Sequence, residues 1–124
     1  MTDVGLHVAA SAARYWLARC GLVGKRVELV ELDAPKPPRV WLIVLEPTQS
    51  PLRLRFQLQR LAQPIVLVTE AENEAAELAA WVQVPLMVAR PTAAPATLAD
   101  LCEMAGSLAS GSLAGVLLEG EQYV

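Results

Sequence analysis

Two runs in this chain, residues 40–45 (Val-Trp-Leu-Ile-Val-Leu) and 65–68 (Ile-Val-Leu-Val), are apolar at every consecutive position. A strand with one wet face alternates, so a strand apolar on both faces needs cover on both, as in a parallel sheet sandwiched between helices. Neither run approaches the ~20 residues that cross a bilayer, and no contact with a membrane is expected. The chain has 124 residues, 54% of them apolar, enough for one domain with such a core. Aromatic residues make up only 5%, which argues against a stacking groove for single-stranded nucleic acid. The net charge of −3 argues against a nucleic-acid binder held by a broad positive field. Residues 1–6 include Asp3 and lack a basic stretch before an apolar core, so a secretory signal is not expected and a cytoplasmic location is.

The remaining elements follow from periodicity and punctuation. Residues 4–8 are short and β-compatible. Residues 12–22 place Ala13, Trp16, Leu17 and Cys20 on one helical stripe, and Gly21 and Gly24 end it. Residues 26–33 alternate as a partly exposed strand does. The stretch Ala34-Pro35-Lys36-Pro37-Pro38 is a stiff connector, since three prolines exclude a helix interior and a central strand. Residues 52–61 alternate strictly, yet contain Leu, Arg and Gln with no β-branched member, and Leu54, Leu58 and Leu61 form a helical stripe. A helix is expected there, because parallel strands on either side require a crossover. Residues 71–83 read as a helix with Ala75, Leu78, Ala79 and Val82 inward and Glu70, Glu72, Glu74 and Glu77 towards its N-terminus. Residues 84–89 form a last strand. Residues 97–109 form a last helix, with Leu98, Leu101, Cys102 and Ala105 buried and Thr97 as its cap. The domain is expected over 1–109, with 110–124 a tail or linker that extends the helix, pairs as an edge strand, or docks on a partner.

The order of elements, with the connector standing where one helix would be, resembles the receiver domain of bacterial response regulators over residues 4–109. The resemblance implies an α/β, flavodoxin-like, doubly wound parallel five-stranded sheet of order 2-1-3-4-5, with the second helix shortened or missing. In that family the first strand ends in an acidic pair that binds magnesium, the third in the phosphoacceptor aspartate, the fourth in Thr or Ser, and the fifth in Lys-Pro. Here those positions hold Ala9 and Ala10, Glu46, Thr69, and Arg90-Pro91. Alanines cannot hold magnesium, and phosphoryl transfer depends on such electrostatic help. The resemblance therefore implies a module that works without phosphorylation. Glu46 either imitates a phosphorylated aspartate or occupies a site with no chemical demand. Arg90 is a candidate partner for Glu46 and Thr69 a candidate cap for the next helix.

Without a second helix, Val27, Leu29, Trp41 and Ile43 either expose apolar surface to a partner or lie under the tail. Receivers pair through their last strands and helices, which implies an interface at Val84, Met87, Leu98 and Leu101, together with Leu113 and Leu117 of the tail. His7, the single histidine, lies within the first strand with no Cys or second His nearby, so it is expected to be a structural strand residue. No nucleophile elbow or phosphate loop is present, and no cofactor is expected. Cys20 and Cys102 are expected as buried free thiols. Residues 1–60 hold nine basic and five acidic groups (+4), while residues 61–124 hold one basic and eight acidic (−7). Complementary faces of this kind can drive homodimerisation or speed encounter with a charged protein. The expected function is regulation through protein contact in signalling or transcription control, without enzymatic activity. The alternative is a structural or assembly subunit of another α/β or α+β fold in which residues 52–61 form a strand. An enzyme would need a spatial cluster around His7.

Overall fold

In a computed structural model that describes residues 3–20 and 26–107, the run at 40–45 becomes the middle strand of a five-stranded parallel sheet. The strands are β1 (Val4–His7), β2 (Val27–Leu29), β3 (Val40–Val44), β4 (Ile65–Val68) and β5 (Leu86–Ala89), arranged 2-1-3-4-5 with every pair parallel. This is the α/β, flavodoxin-like topology expected from the sequence. The helices are α1 (Ala13–Arg19), α2 (Arg55–Leu58), α3 (Glu72–Leu78) and α4 (Pro95–Ser107). No helix among the described residues is long and apolar enough to cross a membrane.

Period-two alternation sends the two halves of each buried strand to opposite cores. Val4, Leu6, Val40, Leu42, Val44, Val66, Val68, Met87 and Ala89 pack under α1 and α4, against Trp16, Cys20, Leu98, Leu101, Cys102 and Ala105. Trp41, Ile43, Ile65, Leu67, Leu86 and Val88 pack against Leu58 and Leu61 at α2 and Ala75, Leu78 and Val82 at α3. Both cysteines are free and buried. Pro64 and Pro85 stand just before β4 and β5, where their carbonyls accept the Trp41 and Ile65 amides at 2.9 Å each and their missing N–H costs no ladder bond.

Residues 30–39 contain turns and no helix, and they cover part of the sheet themselves. Pro38 is buried directly above Gly5 of β1, where a Cβ on residue 5 would lie 2.4 Å from the Pro38 Cγ. Val30 and Leu32 add to the same core. Trp41 and Ile43 are fully buried, which removes the exposed-surface alternative for these two, and the indole Nε1 of Trp41 donates to Gln63 Oε1 at 3.2 Å. Of the other two, Val27 is partly buried against the α1 and α4 core and Leu29, on the edge strand, is half exposed.

The segment at 52–61 is helical, which removes the strand required by the alternative fold. A 3-10 turn (Pro51–Leu54) leads into the single turn of α2, with Leu58 and Leu61 buried. Pro51 at the start fixes φ for helical entry. The last helix begins at Pro95, two residues before the expected cap Thr97, again with proline in the first turn. Val84, Met87, Leu98 and Leu101, expected at a partner interface, are all buried in this chain's own core. They face the sheet or its helices because the strand and helix periodicities that selected them are those of core positions. Leu113 and Leu117 lie outside the described residues, as does the rest of 110–124.

Candidate functional site

Parallel strands place all their C-terminal ends at one edge of the sheet, and that edge gathers the five positions singled out in the sequence. Ala9 and Ala10 follow β1 and enter a 3-10 turn (Ala10–Ala12) with no side-chain cap. Their side chains end at a methyl, so neither offers a side-chain oxygen to a cation. Glu46 follows β3 and is exposed. Its backbone is tied into a tight loop: its N–H donates to Gln49 Oε1 at 2.8 Å, and its carbonyl accepts the Gln49 N–H at 2.9 Å.

Thr69 follows β4 and is the one buried polar side chain among the described residues, at 2% exposure. Its amide extends the ladder to Ala89 O at 2.9 Å, and its Oγ1 accepts the Ala71 N–H at 3.0 Å. The hydroxyl thus closes the turn ahead of α3 from two residues before its cap position, satisfying an amide that the helix start would leave open. Arg90, after β5, has its Nε paired with the Glu72 carboxylate in the first turn of α3. Glu72 and Glu74 also sit where the helix dipole favours anions. Arg90 is thus engaged with the neighbouring helix, and Glu72 takes the part that the sequence reading offered to Glu46.

A second set of residues was not singled out in the sequence. The Arg55 guanidinium lies 4.8 Å from the ring centroid of Phe56 and 4.8 Å from that of Trp81, at α2 and just beyond α3. Phe56 is 64% exposed and Trp81 45%. Gln59 fastens the two elements by donating to the Trp81 carbonyl at 3.1 Å. The available signal was helical phase: with Leu54, Leu58 and Leu61 inward, Phe56 falls outside that stripe.

On the other side of the sheet, Arg19 of α1 lies 5.5 Å from the ring centroid of Tyr15 and 5.4 Å from that of Trp16, and donates to the Ala93 carbonyl ahead of α4. Among the described residues no group of three or more His, Cys, Asp or Glu side chains could hold a metal ion. No family model, curated protein or solved structure matches the chain.

Proposed function

We propose that this protein is a receiver-like regulatory module that works through protein contact rather than through phosphorylation. The observation that carries this reading is the C-terminal edge of the 2-1-3-4-5 sheet. There, methyl groups stand at the acidic-pair positions, Thr69 Oγ1 is committed to its own turn and the Arg90 Nε is committed to Glu72. The sheet order is the one a receiver would have, while groups that would assist phosphoryl transfer are absent or engaged elsewhere.

The Arg55-Phe56-Trp81 stack supports contact with a protein. Arginine and aromatic residues dominate binding energy at interfaces, and two large rings held by a shared cation are ordered before a partner arrives. Residues 51–62 hold Arg53, Arg55 and Arg60 with no carboxylate, so the favoured partner presents acidic side chains around an apolar contact.

The test is intact-mass spectrometry after incubation with magnesium and acetyl phosphate, with amide spectra recorded in parallel. The expected result is an unchanged mass and unshifted amides at residues 9, 10 and 46. Stoichiometric addition of a phosphoryl group, or saturable magnesium shifts at Ala9 and Ala10, would overturn the reading.

A further inference from the structure

The absent helix between β2 and β3 leaves a vacancy that the connector fills only in part. Pro38 covers the face at Gly5, whereas His7, two residues further along the same face of β1, remains partly exposed. His7 pairs in register with Ile43, so it stands on the Trp41 and Ile43 side of the sheet. A cleft of about 580 Å³ opens beside it, within the size range of small-molecule sites.

Topology sets the chemistry of this cleft. β1 lies between β2 and β3, so the connector leaving β2 and the helix following β3 rise on either side of His7. The connector contributes Glu31 and Asp33. The α2 side contributes Gln57 and, from the turn after it, Arg60, with Leu32 as apolar lining. One wall is therefore anionic and the other carries a guanidinium and an amide, with an imidazole between them. Among the described residues no ion pair closes the walls on each other, so both charges remain available.

We propose that this cleft binds a small zwitterion, of the free α-amino acid class. The ligand ammonium meets Glu31 and Asp33, its carboxylate meets Arg60 and Gln57, and His7 lies beneath. Two charge-assisted contacts of opposite sign select for a molecule carrying both groups close together and against one carrying either alone. The cleft contains none of residues 9, 10, 46, 69 and 90, so its occupancy is independent of how those residues are interpreted.

Because His7 is the single histidine, its ring resonances report on the cleft without assignment ambiguity. The experiment titrates the full chain separately with glycine, L-glutamine, L-leucine, L-lysine and L-glutamate, then with the N-acetyl and amide derivatives of whichever binds. The expected result is saturable movement of the His7 ring signals with a Kd on the order of 1 mM, weakened about tenfold by either derivative. Arg60→Gln and Asp33→Asn, both at exposed positions, are each expected to weaken binding about tenfold while leaving distant amide signals in place. The proposal is overturned if none of the five amino acids gives a saturable shift, if acetylated and amidated forms bind as well as the free ligand, or if neither substitution changes the affinity.

Discussion

Cys20 shows how one buried residue ties the fold to pH. It closes the C-terminal end of α1, where its amide donates to the Trp16 carbonyl at 2.8 Å, and its side chain is fully buried in the core beneath that helix. Burial pushes the thiol up from an ordinary 9.0 to about 11, with the Arg19 guanidinium pulling more weakly the other way. Below pH 9 the folded and unfolded chains both keep this proton. Between about 9 and about 11 the unfolded chain releases it while the folded chain holds it, so the unfolded state gains and stability falls as pH rises. Chemical denaturation at a series of alkaline pH values is expected to show Cys20→Ala losing less stability across that window than the parent chain. Equal slopes for the two proteins would contradict the assignment. At pH 8 the folded protein is also expected to resist thiol alkylation at Cys20, since the reactive species is the thiolate.

At the scale of elements, the connector over residues 30–39 replaces a helix with a proline ring seated on a glycine. Gly5→Ala places a methyl 2.4 Å from Pro38 Cγ and 2.9 Å from Pro38 Cβ, and the ring cannot rotate aside as a flexible side chain would. The expected cost is about 1–3 kcal/mol, read as a lower denaturant midpoint. Pro38→Ala combined with Gly5→Ala is expected to recover part of that loss, because the two substitutions share one contact.

This element also marks how far the sequence could be followed. Three prolines announced that no full helix forms there, but not that the connector would fold down onto β1, because the Gly5 and Pro38 contact joins positions 33 residues apart. Likewise, the doubly apolar runs at 40–45 and 65–68 located the central strands, and the Leu stripe at 54, 58 and 61 outweighed strict alternation. The His7 cleft was not legible, since Glu31, Asp33, Gln57 and Arg60 meet only once the strand order places β1 between β2 and β3. The burial of Val84, Met87, Leu98 and Leu101 in this chain's own core has a related reason. Periodicity picks out buried positions without saying whether a helix of the same chain or another protein buries them.

For the whole molecule, the division into a +4 half and a −7 half takes on a different meaning in three dimensions. The arginine-bearing α2 region and the glutamate-bearing α3 are neighbours on one face of the sheet: Ser50 donates to Glu74, and Arg55 reaches Trp81 beyond the end of α3. Part of the asymmetry is therefore set side by side within one chain, with Arg55 lying over the Phe56 and Trp81 rings. At the C-terminal edge of the sheet, Arg90 is paired with Glu72 and Thr69 closes its own turn, while Glu46 stands exposed.

The proposed function rests on the likeness of this sheet edge to that of a receiver that lacks the acidic pair, and supplying that pair tests the proposal most directly. In a combined Ala9→Asp, Ala10→Asp and Glu46→Asp variant, magnesium binding is measured by amide shifts and phosphorylation by intact mass after addition of acetyl phosphate. The account predicts saturable magnesium binding and one added phosphoryl group in the variant, and neither in the parent chain. A folded variant that binds no magnesium, or a parent chain that becomes phosphorylated, would contradict it.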